Sequence, residues 1–122
     1  MTKRILLVDD DPEVAAGIEQ LLTAYGYEVS VVNSGTAALE AAGRFRADAV
    51  VLDFQLPDMD GGAVFRKLRE RSPSLPVVFS SGHLRSLRDA GVSSDAPRVF
   101  LLTKPYESAE LVEAIERVCK VK

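Results

Sequence analysis

Four short apolar runs punctuate the chain: Ile5-Leu6-Leu7-Val8, Ala49-Val50-Val51-Leu52, Val77-Val78-Phe79 and Val99-Phe100-Leu101-Leu102. None alternates with polar residues, so each predicts a strand buried on both faces, as in a parallel sheet covered by helices. Val29-Ser30-Val31-Val32 carries a polar interruption and reads as a strand near a sheet edge. Between these runs the apolar positions recur with helical period, and strands alternating with helices predict βαβ units. In the first helix Asp11 is placed to cap, Pro12 suits the first position, and Gly26 suits the exit. Its predicted apolar stripe is Val14, Ile18, Leu21, Leu22 and Tyr25. Ser34 to Gly43 predicts a short Ala-rich helix, and Asp60 caps a third in which Val64, Phe65 and Leu68 share a face before Ser72-Pro73 ends it. The last helix, about Ser108 to Val121, buries Leu111, Val112, Ile115 and Val118.

The weak stretch is His83 to Arg98. Leu84, Leu87 and Ala90 predict about two helical turns, and Gly91 to Arg98 has turn chemistry with little to bury, so a short fourth helix and a mobile loop are expected. The whole is a doubly wound α/β fold: a five-stranded parallel sheet in the flavodoxin-like order 2-1-3-4-5 with five helices, the fourth short or poorly ordered.

A chain of 122 residues fits one domain, here residues 1–122, with a genuine core. Hydrophobic residues are 47% and charged residues 27%, a soluble globular composition. A net charge of -3 with scattered Lys and Arg gives no footprint for nucleic acid or an anionic membrane. Four strongly apolar residues before three acids are too few for a signal peptide or membrane span, so a cytoplasmic protein is expected. Cys119 is the only cysteine, which excludes an internal disulfide and a cysteine metal cluster. It reads as a partly buried helix residue.

Polar groups close the apolar runs. Asp9-Asp10-Asp11 follows the first, Asp53 the third strand, Ser81 the fourth and Lys104 the fifth. Ligands of open α/β sheets bind outside the carboxyl ends of the strands, so these groups should line one pocket. With strands 1 and 3 adjacent at about 4.8 Å, Asp9, Asp10 and Asp53 crowd together, and a hard all-oxygen set with room for water suits Mg²⁺. A carboxylate is a competent phosphoryl acceptor once metal and ammonium neutralise the incoming charge. Asp53, alone at the sheet centre, is the nucleophile candidate; Asp9 and Asp10 hold the metal. Lys104 supplies a point charge to one phosphoryl oxygen and the Ser81 hydroxyl donates to another. Asp11, Asp58 and Asp60 fit cap and loop roles, and Ser80 fits strand-end packing. His83, the only histidine, is expected as a surface loop residue.

Leu7-Val8-Asp9-Asp10, Asp53-Phe54-Gln55-Leu56-Pro57-Asp58-Met59-Asp60-Gly61, Ser81-Gly82 and Lys104-Pro105-Tyr106 together resemble the receiver domains of bacterial two-component response regulators, over essentially the whole chain. The resemblance implies a phosphoacceptor that takes phosphate onto Asp53 from a histidine kinase or histidine phosphotransfer protein. It implies Mg²⁺ bound by Asp10, Asp53 and the Gln55 backbone carbonyl, with Asp9 acting mainly through metal-bound water. It also implies a cis Lys104-Pro105 bond, side chains at Gln55 and His83 that tune phosphate lifetime, and an output partner met by the face from the fourth strand to the last helix. Leu101 departs from the family's usual aromatic, with Phe100 on the opposite strand face, so an aromatic switch is not expected. The implied setting is a stand-alone regulator, a phosphorelay component, or a receiver from a longer regulator or hybrid kinase.

Asp9-x-Asp11 with a later Ser and Lys loosely mimics a haloacid-dehalogenase-like phosphatase. That family wants Gly-Thr after the second Asp, where Pro12-Glu13 stands, and a further acidic pair that this chain lacks. A scaffold without phosphoacceptance is the third reading, opposed by the intact Asp10, Asp53, Ser81 and Lys104 set.

Overall fold

The computed structural model describes residues 2–82 and 98–120. It contains β1 (Arg4–Val8), α1 (Pro12–Ala24), β2 (Glu28–Val32), α2 (Gly35–Phe45), β3 (Ala49–Asp53), α3 (Gly61–Arg71), β4 (Val77–Ser81), β5 (Val99–Thr103) and α4 (Ser108–Lys120). All strand pairs are parallel, in the order β2-β1-β3-β4-β5. The expected fourth helix, and the expected mobile loop apart from Arg98 at its end, fall in residues 83–97, outside the described residues, as does His83. The last helix of the sequence reading is therefore α4 here.

Side chains on a strand point alternately to its two faces, and this divides the core in two. Ile5, Leu7, Val51 and Val78 pack beneath α1 and α4, against Ile18, Leu22, Leu111, Ile115 and Val118. Leu6, Val8, Val50, Leu52, Val77 and Phe79 pack beneath α2 and α3, against Ala38, Val64 and Leu68. The central runs are buried along both faces, as their unbroken hydrophobicity predicts, while the edge strand β2 leaves Val31 exposed. Phe100 joins the α1/α4 side and Leu101 the α2/α3 side, the opposite facing expected of them.

Caps set the helix starts. Asp11 accepts from the Glu13 and Val14 amides at 3.0 and 3.3 Å, Ser34 from Ala37 at 3.1 Å, and Asp60 from Ala63 at 2.8 Å. Gly26 follows α1 with φ 94, a conformation glycine adopts without steric cost.

Two expectations are corrected. The buried stripe of α1 is Ala15, Ile18 and Leu22, whereas Val14 and Tyr25 are exposed. At about 100° per residue Val14, Leu21 and Tyr25 lie along one flank, and the small Ala15 lets the adjacent face approach the sheet. The second helix does not stop at Gly43 but runs to Phe45, whose ring lies 4.3 Å below the Arg4 guanidinium. Arg46, at φ 55, takes the left-handed position that ends it. In α4 the sequence stripe is buried as read, with Ala114 added.

Candidate functional site

Because every strand runs the same way, their carboxyl ends open on one rim, and the order reverses between β1 and β3. Asp9 continues β1, its amide donating to the Val32 carbonyl at 3.1 Å. Asp53 is the last residue of β3. Both are buried, at 4% and 6% exposure, and Asp10 beside them is exposed. Carboxylate oxygens of Asp9, Asp10 and Asp53 lie within 4.8 Å of one another.

Lys104 arrives from beyond β5. Its amide donates to the Ser81 carbonyl at 2.9 Å, tying the loop to the end of β4, and its Nζ reaches Asp53 Oδ2 at 3.1 Å. The Lys104-Pro105 bond is cis. Ser81 is the buried terminal residue of β4, while its neighbour Ser80 is the residue in register with Asp53. Gln55 contributes backbone: its amide donates to Asp53 Oδ1 at 3.3 Å, and its side chain is exposed. The structure thus gathers Asp9, Asp10, Asp53 and Lys104 directly, with Gln55 and Ser81 on the flanking chain.

Burial raises the Asp9 carboxyl above its ordinary range; the Asp11 amide at 2.9 Å opposes this, and the neighbouring Asp53 and Asp10 charges add to it while Lys104 lowers it. Tyr106, packed under the same rim, is pushed up to about 12 by burial and then by the Asp9 and Asp53 charges, so its phenol stays protonated. A crowded set of oxygen donors, part-buried and short of positive charge, fits a hard divalent cation.

Asp11 stands apart from this pocket. It is spent on the start of α1, and Asp10 takes the place beside Asp9, which removes the Asp-x-Asp pair a haloacid-dehalogenase-like site requires. Asp60 caps α3, as read from the sequence.

Sequence reasoning missed the partner of Asp58. Its Oδ1 accepts from the Gly35 amide at 2.8 Å, and its Oδ2 accepts from the Thr36 amide at 2.9 Å and hydroxyl at 2.6 Å. Those bonds hold Asp58 down at about 2, the hydroxyl contributing most. The acid was readable as a loop residue; a partner more than twenty positions away was not.

An open parallel α/β sheet with an acidic pocket and a lysine at its switch point places a cation- and anion-binding site where such sheets bind their ligands. Residues 5–116 match the response regulator receiver domain, and the chain belongs to that family. Response regulator MprA of Mycobacterium leprae is 39% identical over 118 residues, 96% of this chain and 51% of the relative. A response regulator receiver protein from Sinorhizobium medicae superposes with a TM-score of 0.85 at 35% identity, covering 97% of this chain and 94% of the other. The receiver domain of a sensor histidine kinase from Pseudomonas aeruginosa, with a magnesium ion coordinated in its active-site cleft, gives 0.84 at 31% identity over 98% of each chain. The chain spans about half the length of the first curated relatives it matches. No helix among the described residues is long and apolar enough to cross a membrane.

Proposed function

We propose that Asp53 accepts a phosphoryl group from the phosphohistidine of a histidine kinase or histidine phosphotransfer protein, within one receiver domain spanning residues 1–122. The observation that carries this is the meeting of three carboxylates within 4.8 Å, one of them 3.1 Å from a lysine ammonium. Mg²⁺, held by Asp10, Asp53 and the Gln55 carbonyl with Asp9 acting through water, would neutralise charge on the phosphoryl oxygens. The pocket's donor chemistry supports it, as does the magnesium in the related receiver.

The Asp53 carboxylate attacks phosphorus as the donor's phosphorus–nitrogen bond breaks; the imidazole leaves with the bond pair, and a mixed anhydride remains on Asp53. Lys104, 3.1 Å from Asp53, is positioned to transfer its contact to a phosphoryl oxygen, and Ser81 donates a hydroxyl to another. The domain assists its own phosphorylation and dephosphorylation and turns over no separate substrate. The added charge draws the β4 and β5 ends inward and alters the face from β4 to α4, where an output protein docks. We place the protein in the cytoplasm, with no contact of its own to nucleic acid or membrane. Its relatives include transcriptional regulators and a kinase-borne receiver, so a larger regulator and a hybrid kinase are both consistent settings.

Incubation with acetyl phosphate and Mg²⁺ tests the reading. A labile acyl phosphate on intact protein, absent from Asp53→Asn, is expected. Continuous turnover without labelling would make the protein a phosphatase, and neither would make it a scaffold.

A further inference from the structure

We propose that Asp58 is a positioning residue for the phosphoacceptor loop, clamping it to the start of α2 through Gly35 and Thr36 so that Gln55 is held against the acidic pocket. The inference rests on the function proposed above, because the Gln55 carbonyl matters only if the loop after Asp53 takes part in binding Mg²⁺.

The loop from Phe54 to Asp60 is secured at its two ends. The Phe54 amide donates to the Ser80 carbonyl at 3.0 Å, and the Gly61 amide donates back to the Phe54 carbonyl at 2.7 Å. A Cβ at Gly61 would lie 2.8 Å from the Asp53 carbonyl oxygen and 2.7 Å from Phe54 Cα, so α3 starts hard against the acceptor strand. Between these ends, Asp58 reaches sideways to another element, with both carboxylate oxygens engaged by three donors. The adjacent Met59 seals the joint: a Cβ on Gly35 would collide with Met59 Cγ and Sδ.

The clamp closes a circuit. Asp9 is tied to the end of β2 through the Val32 carbonyl; β2 leads through Asn33 and Ser34 to Gly35 and Thr36; Asp58 joins these to the loop that begins at Asp53. The carboxylates of β1 and β3 are thereby fixed relative to each other on the solvent side of the sheet as well as through strand pairing. Partners outside a metal's ligand set commonly change its affinity by tenfold or more when removed, because they orient the ligands. An acid here also suits the helix start, where amides point outward and negative charge is favoured.

Asp58→Ala, Asp58→Asn and Thr36→Val separate positioning from simple capping. In metal-free protein, Asp58→Ala is expected to shift the amide resonances of Gln55 as well as those of Gly35 and Thr36. Its Mg²⁺ dissociation constant, read by calorimetry well below the unfolding temperature, should rise by about tenfold, with acetyl phosphate labelling at subsaturating Mg²⁺ slowed in proportion. Asp58→Asn, which keeps an acceptor oxygen, should recover part of the affinity, and Thr36→Val should lose less than Asp58→Ala. A lower melting temperature with unchanged Mg²⁺ affinity and an unmoved Gln55 amide would reduce Asp58 to a helix cap and overturn the proposal. If the Gln55 amide moves but the wild-type protein takes no phosphoryl group, the proposed function fails while the clamp stands.

Discussion

The aspartates on the carboxyl-terminal rim form two sets with opposite environments. Asp11, Asp58 and Asp60 each meet backbone amides at helix starts, and Asp58 also takes a hydroxyl. Asp9, Asp10 and Asp53 instead crowd one another, with the Lys104 ammonium and the Asp11 and Gln55 amides among the groups that compensate them. The first set is paired with donors by the fold alone, whereas the second sets like charges against one another, an arrangement that suits a divalent cation. Residue type does not separate these roles; what faces each carboxylate does, helix-start amides in the first set and other carboxylates in the second. Asp11 and Asp60 should therefore carry stability without chemistry, Asp58 should reach the chemistry only through the loop it holds, and the pocket set should carry chemistry at the expense of stability.

The largest effect expected is the complete loss of acyl-phosphate formation in Asp53→Asn, with the fold intact by circular dichroism. Undiminished labelling at another residue would break the division at its centre. Next comes Asp9→Asn, which keeps the oxygen that accepts from the Asp11 amide but removes a charge the site disfavours. In chelator its melting temperature should rise, because burial and the Asp53 and Asp10 charges together outweigh the attraction of Lys104. Mg²⁺ should then stabilise it far less than wild type, since ligand stabilisation follows the ratio of concentration to dissociation constant. A fall in chelator would mean the pocket is already balanced without metal.

Asp60→Ala should give the reverse pattern. Loss of a helix cap costs about 1 kcal/mol, lowering the melting temperature by about 4 °C in a domain of this size. Mg²⁺ affinity should not change. A large loss of affinity would show that Asp60, like Asp58, holds the loop.

The sequence made one set more readable than the other for a physical reason. Strand-end acids announce themselves because an unbroken apolar run fixes where a buried parallel strand stops, and the pocket at the switch point follows. Asp11 and Asp60 were legible because their amide partners lie two or three residues on. The Asp58 partners were not, since nothing local records that α2 starts beside the β3–α3 loop. The facing of α1 was only half legible: periodicity chose the helix, but the depth at which Ala15 lets it seat decided that Val14 and Tyr25 stay exposed.

The smallest effect concerns pH and sharpens the contrast most finely. Asp58 sits near 2 in the folded protein against an ordinary 3.8, so between those values the unfolded chain binds the extra proton. Its contribution to stability is therefore fully present above about pH 4 and is lost as the pH falls through about 2. The site is fully exposed, and water and salt screen it, so the change is small. The difference in unfolding free energy between wild type and Asp58→Asn, which cannot titrate, should be constant at higher pH and shrink across that window. Carboxyl-carbon NMR should place the Asp58 midpoint near 2, and Thr36→Val should move it upward by deleting the donor that lowers it most. A midpoint at the ordinary 3.8 would show that the Gly35 and Thr36 bonds do not persist in solution, and Asp58 would then belong to neither set.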